Sequence, residues 1–232
     1  MEHARRMMEL YVHFMQRGDV VIDVGANIGN RTRIFSELGA RVIAVEPQKE
    51  CVRLLYIQFH DNPRVTIVPQ ALGAAPGRAE IRICQESSTI SSLSPDYPRV
   101  MSGHRAFKHV HWTNTRSVPL TTLDALIAQF GIPAFTKIDV EGYESEVLQG
   151  LSQSLPALSF EFTPYLFEPA RASIARLEQL DAMRYNYARM EDMELRLDTW
   201  VSAAEMLDVL EAHENTSAFI FGDVYARRKM QT

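Results

Sequence analysis

Apolar residues recur along this chain in two rhythms. Val20, Val21, Ile22 and Val24 follow Asp19 as a nearly continuous apolar run, and similar short runs recur at 41–45, 65–68 and 157–162. A strand apolar at consecutive positions is covered on both faces, which is the habit of parallel sheets. Between these runs the spacing changes to three and four. Residues 2–17 place Met8, Tyr11, Val12 and Met15 on one helical face that Gly18 stops, and residues 30–38 turn Ile34, Phe35 and Leu38 inward before Gly39. Helix 48–59 does the same with Cys51, Val52, Leu55 and Phe59. Further along, the pattern predicts helices over 171–181 and 202–212, and strands over 79–84, 185–190, 194–197 and 217–225. Alternating strands and helices predict an α/β fold. From Gln85 to Ser117 no period persists, and a connection this long inside a domain reads as a lid, a substrate loop or a flexible linker.

Composition narrows the class. At 232 residues and 46% hydrophobic content, the chain is long enough for one α/β domain over 1–232, its first 18 residues forming a helix ahead of the core. The net charge of −5 with mixed signs offers no basic face, so no nucleic-acid partner is expected, and Arg227-Arg228-Lys229 reads as a solvated tail. Cys51 and Cys84 have neither metal-ligand spacing nor a partner framework, which fits a reducing compartment. No apolar run approaches the ~20 residues of a membrane span, and M-E-H-A-R-R lacks the apolar region of a signal peptide. The expectation is a cytoplasmic protein. The methionine-bearing first helix is suited equally to its own sheet or to a second subunit.

Candidate chemistry begins where the first strand ends. In D-V-G-A-N-I-G-N, Gly25 and Gly29 allow a tight turn and a closely packed helix, and Asn27 and Asn30 tolerate unusual backbone angles. The second strand runs into Glu46-Pro47, about twenty residues beyond Gly25, where such folds place an acid for a ribose diol. This is a nucleoside-binding half-sheet. A dinucleotide cradle needs G-x-G-x-x-G, but its second and third positions hold Asn27 and Asn30. That disfavours an NAD-dependent oxidoreductase and suits a ligand without phosphates, such as S-adenosylmethionine. The run resembles the first motif of class I methyltransferases. The resemblance implies that Asp23 faces the sulfonium end, and that Gln70, Ala71 and Leu72 line the adenine pocket.

The second anchor is F-T-K-I-D-V-E-G-Y-E-S-E-V-L-Q-G, residues 135–150. Lys137, Asp139 and Glu141 alternate with Ile138 and Val140, so in an extended strand their side chains share a face. Charges in a central strand are costly unless paired, and Asp139 is the obvious partner for Lys137. The carboxyl end of a parallel strand opens on the ligand cleft, and the strand 157–162 brings Glu161 to that edge. Three acids and a lysine at one cleft suggest proton transfer or a hard cation such as Mg²⁺. The 85–117 stretch adds His104, His109, His111 and Trp112, from which a base such as His111 or a sugar-stacking aromatic would come.

Together with P-L-T-T-L-D-A-L (Pro119 to Leu126), these segments come in the order seen in FkbM-type methyltransferases, a family marked by K-x-D-x-E-G at Lys137, Asp139, Glu141 and Gly142. The likeness covers residues 18–165, with an echo at 218–227. It implies a class I, Rossmann-like fold: a mostly parallel seven-stranded sheet, helices on both faces and an antiparallel last strand inserted at one edge. It also implies S-adenosylmethionine-dependent O-methylation of a sugar, glycan or small hydroxylated metabolite. The cofactor would meet Asp23, Gly25, Ala26, Asn27, Gly29, Asn30, Glu46, Pro47, Ala71 and Leu72. The chemistry would fall to Asp139, Glu141, Lys137 and His111, without a metal or weakly assisted by one. The short N-terminus carries no upstream substrate domain in this reading. A non-catalytic nucleoside-binding module is the other class of reading, and the four intact acids Asp23, Glu46, Asp139 and Glu141 argue against it.

Overall fold

The computed structural model describes residues 2–163, 165–214 and 221–229. The apolar runs become strands β1 (Val20–Val24), β2 (Arg41–Val45) and β3 (Val65–Val68). After them come β4 (Ala71–Leu72), β5 (Gly77–Ile83), β6 (Asn114–Thr121), β7 (Phe135–Ile138), β8 (Ala157–Phe162), β9 (Met183–Arg189) and β10 (Gly222–Arg228). The helices are α1 (Glu2–Tyr11), α2 (Asn30–Glu37), α3 (Lys49–Phe59), α4 (Asp96–Met101), α5 (Leu123–Phe130), α6 (Glu144–Gln149), α7 (Phe167–Leu180) and α8 (Ala203–Glu214).

Seven strands form one sheet in the order β3-β2-β1-β7-β8-β10-β9. From β3 to β8 every pair is parallel, and β10 is antiparallel to both its neighbours. The antiparallel strand expected over 217–225 is therefore found at Gly222–Arg228, while 217–220 lie outside the described residues. It sits one place in from the edge, between β8 and β9.

Strand alternation explains why consecutive positions are apolar. Val21, Val42 and Phe135 pack under α1 and α2, and Ala44 packs under α3. Ile22, Val24, Ile43, Val45 and Ile138 turn the other way, onto α5, α6, α7 and α8. Each Val, Ile or Phe buried in this way contributes roughly 1.5–3 kcal/mol, so the sheet is held from both faces. This is an α/β, Rossmann-like fold. Among the described residues no helix is long and apolar enough to cross a membrane, and both cysteines are buried and free.

Several local readings change. The first helix stops at Tyr11, and its buried stripe is Met7, Leu10 and Tyr11, whereas Val12 is 50% exposed. The Tyr11 ring fixes that rotation by meeting Phe35 edge-on at 4.7 Å and Phe135 at 5.6 Å. The 85–117 stretch is not one loop. It holds two 3-10 turns and α4, and its last residues, from Asn114, belong to β6, which pairs with β5 and β4 in a separate three-stranded sheet. Such short turns are below the length at which a hydrophobic period can show. Residues 194–197 form no strand. There the Asn186 side chain takes the bonds a neighbouring strand would make, donating to Leu197 O and accepting from Leu197 N. Helix α7 begins four residues early because Pro169 sits in its first turn, where no backbone donor is needed.

Candidate active site

The two anchor segments meet backbone to backbone. Gly25 ends β1 with φ 80°, and a Cβ there would lie 1.9 Å from the carbonyl oxygen of Asp139, just beyond β7. Only glycine fits, so the turns after β1 and β7 open side by side into one cleft of about 710 Å³ at the carboxyl ends of the strands.

At one end of the cleft Glu46 is fixed by backbone donors. Asn27, in a left-handed conformation with φ 49°, donates its N–H to Glu46 Oε2 at 2.9 Å, and Gln48 N–H donates to Oε1 at 2.8 Å. Burial pushes the Glu46 carboxyl up to about 7 against the pull of those two donors. A carboxylate has about four lone-pair sites, so two acceptor positions remain for a diol. Gly25, Ala26, Asn27 and Asn30 line the cleft beside it, as do Pro47, Ala71 and Leu72 on the far side.

Asp23 and Gly29 do not line it. Asp23 is buried beneath the floor, where its Oδ2 accepts from the Thr32 hydroxyl at 2.5 Å and ties α2 to β1. A Cβ at Gly29 would come within 2.7 Å of Phe59, so that glycine serves the packing of α2 on α3.

At the other end stand Asp139, Glu141 and Glu161, each with an oxygen within 4.8 Å of the others. Lys137 lies under them, 1% exposed, with Nζ 2.9 Å from Asp139 Oδ2 and 3.3 Å from Asp223 Oδ1. Burial pushes the Glu141 and Glu161 carboxyls well above the usual range, and the repulsion of the neighbouring acids adds to it. Glu161 Oε2 is buried with no hydrogen-bond partner among the described residues. The turn holding Glu141 (φ 57°) is clamped on two sides. Glu144 Oε1 accepts from Val140 N and Gly142 N at 3.1 Å each, and Ser92 Oγ donates to Glu141 O at 2.6 Å.

The 85–113 connection supplies part of the wall. Tyr97 on α4 lines the cleft and hydrogen-bonds the Glu141 side chain, and Phe107 lies on the same wall. His111 is not brought in. Its ring is 62% exposed and its Nδ1 pairs with Glu86 Oε1 at 3.0 Å. Phe167 is core, Tyr165 is exposed beside His104, and Trp200 stacks under Arg227. Tyr97, Asp223 and Arg31 escape the sequence reading. Asp223, an acid within an apolar strand, carried a usable signal in the cost of its burial; Tyr97, in an aperiodic stretch, carried none.

The family model described as Methyltransferase FkbM domain matches residues 23–213. The hexuronic acid methyltransferase AglP of Haloferax volcanii is 26% identical over 156 residues, 66% of this chain and 59% of its own length. The ribosomal RNA large subunit methyltransferase E of Archaeoglobus fulgidus is 27% identical over 139 residues, 58% of this chain and 62% of its own. The chain thus spans about three fifths of the length of these relatives. The crystal structure of precorrin-6y C5,15-methyltransferase from Geobacter metallireducens GS-15 aligns with a TM-score of 0.51 over 98% of this chain and 86% of that one. At 10% identity, that is a likeness of fold.

Proposed function

From the premise that this chain belongs to the FkbM methyltransferase family, we propose that it moves a methyl group from S-adenosylmethionine to a hydroxyl of a sugar, glycan or small hydroxylated metabolite. The observation that carries this reading is the layout of one cleft, with a backbone-fixed Glu46 at one end and three carboxyls at the other. Glu46 accepts both ribose hydroxyls. Pro47, Ala71 and Leu72 flank the adenine, and the turn from Gly25 to Asn30 holds the methionine portion. Bound there, S-adenosylmethionine would supply an electrophilic methyl carbon to the acceptor oxygen, with S-adenosylhomocysteine as the leaving group. The hydroxyl proton passes to Asp139, the one acid of the three with an ammonium in hydrogen-bond reach. Lys137 positions that carboxylate, and holding the acceptor in line supplies on the order of 7–11 kcal/mol in well-oriented cases.

A second reading has one specific support. Three convergent carboxylates, among them Glu161 with its buried Oε2 unpartnered among the described residues, suit a hard cation such as Mg²⁺, which would acidify the acceptor hydroxyl. The sugar acceptor is favoured by the relative named for a hexuronic acid and by the net charge of −5, which offers RNA no basic face. The whole chain, 1–232, acts in this reading as one cytoplasmic catalytic domain with the 85–113 segment as its acceptor wall.

Calorimetric titration with S-adenosylmethionine and S-adenosylhomocysteine, with and without Mg²⁺, is the test. Binding that disappears in Glu46→Ala is expected, followed by radiolabelled methyl transfer to sugars and, as the competing arm, ribosomal RNA. Absence of binding under every condition would overturn the reading. Affinity gained only with Mg²⁺ would turn it to the metal-assisted form.

A further inference from the structure

We propose that Arg31 anchors a carboxylate-binding subsite at the α1 side of the cleft, an inference that rests on the methyl-transfer reading above. Arg31 is the second residue of α2 and lines the cleft together with Met7 of α1 and Glu191 from the segment after β9. Its side chain is only 14% exposed. A guanidinium carries five N–H donors in a planar fork, and this one is poorly supplied with oxygen. Nη2 donates to Glu191 Oε2 at 2.6 Å, Nη1 meets the Met7 Sδ at 2.8 Å, and Nε is buried with no partner among the described residues. Thioether sulfur is a weak acceptor, so two of the three nitrogens lack a good one.

The partner it does have is loosely held. Glu191 is 58% exposed, follows Met190, which has φ 53°, and shares its Oε2 with His3 Nε2 at 3.5 Å, so its carboxylate is free to turn from Arg31 to water. A buried guanidinium left short of acceptors is costly, and a planar carboxylate fits its fork at two points. The first turn of α2 adds the positive end of the helix dipole. Two molecules in this reaction carry the required group: the cofactor, on its amino-acid tail, and an acidic sugar, on its uronic carbon. Glu191 comes from beyond β9, on the far side of β1 from the Glu46 strand. The subsite therefore lies past the nucleoside, where either carboxylate would fall.

The experiment uses the full chain, its Arg31→Gln, Arg31→Lys and Glu191→Gln variants, and four probes. These are S-adenosylhomocysteine, 5′-methylthioadenosine (which lacks the amino-acid tail), and glucuronate against glucose on protein saturated with S-adenosylhomocysteine. If the subsite holds the cofactor tail, Arg31→Gln weakens S-adenosylhomocysteine about 10- to 100-fold and leaves 5′-methylthioadenosine unchanged. If it holds the acceptor, S-adenosylhomocysteine is unchanged and the preference for glucuronate over glucose falls by a similar factor. Arg31→Lys, a point charge without the fork, recovers part of either loss. Glu191→Gln frees the guanidinium and tightens the same carboxylate ligand a few-fold; should Arg31→Gln fail to fold, an unchanged affinity in Glu191→Gln overturns the proposal. Unchanged binding of every probe in Arg31→Gln overturns it while leaving the methyl-transfer reading intact. A wild-type protein that binds neither nucleoside overturns both.

Discussion

Replacing Lys137 with methionine is expected to destabilise the fold by about 3–5 kcal/mol, the usual cost of stranding a buried charge. Two carboxylates depend on Lys137 Nζ, at 2.9 Å for Asp139 and 3.3 Å for Asp223. They differ in what happens next. The Asp139 side chain is 37% exposed and can turn to water, but that of Asp223 is 9% exposed and cannot. Most of the loss therefore comes from Asp223. At roughly 2–4 °C per kcal/mol for a chain of this size, the melting temperature should fall by about 6–20 °C. Urea unfolding followed by circular dichroism on wild type, Lys137→Met, Asp223→Asn and the double variant separates the contributions. The double variant should return to within about 1–2 kcal/mol of wild type, because it removes the stranded charge as well as its partner. A Lys137→Met loss below about 1 kcal/mol, or a double variant that equals the sum of the singles, would refute the pairing argument.

Three further outcomes follow from the same geometry. Glu46 and Glu144 are both held up at about 7 from an ordinary 4.5, so between those values the folded chain binds more protons than the unfolded one. Ligand-free stability should therefore fall as pH rises from 5 to 8, by on the order of 3 kcal/mol for each group; a melting temperature that climbs across that range in scanning calorimetry would contradict it. Gly25→Ala places a Cβ 1.9 Å from the Asp139 carbonyl at φ 80°, and should cost more than the ~1–2 kcal/mol of left-handed backbone alone; unchanged urea stability would mean that the two turns do not touch. Asp139→Asn should lower kcat by about 10²–10⁴-fold while S-adenosylhomocysteine affinity by calorimetry stays within a few-fold, and a variant with full turnover would remove Asp139 as the base.

The sheet was legible because its strands are apolar on both faces, and the meeting of the two anchors followed from the rule that ligands gather at the carboxyl ends of parallel strands. What was misread turns on which way single side chains point. Asp23 was expected to face the cofactor, yet it shares its strand face with Val21, which packs under α1 and α2. That parity sends the Asp23 side chain to Thr32 on α2 instead of into the cleft. His111 was a candidate base by residue type, but its position on the surface depends on how 85–113 folds, and that depends on contacts far away in the chain. Ser92 reaching the carbonyl of Glu141 is such a contact, and no local period announces it. Arg31 carries no signal of its own in the sequence. Only the closeness of α1 and of the segment after β9 shows that it is buried.

The polar row beneath the cleft explains why the acids sit where they do. Asp23 pairs in register with Lys137 across β1 and β7, and Lys137 with Ser159 across β7 and β8. Ser159 in turn faces Tyr225 on β10. This row lies on a sheet face that is otherwise apolar, sealed by Tyr11 and its aromatic neighbours. Stability does not call for it, since a buried ion pair can often be exchanged for apolar residues at no loss. Its consequence is positional: Lys137, shared with Asp223, holds the Asp139 carboxylate in the cleft beside Glu141 and Glu161. The double variant Lys137→Met/Asp223→Asn separates the two roles. It should recover most of the folding free energy but not the methyl transfer, because an Asp139 released to solvent no longer faces the acceptor. Recovery of turnover along with stability would mean that the row serves the fold alone.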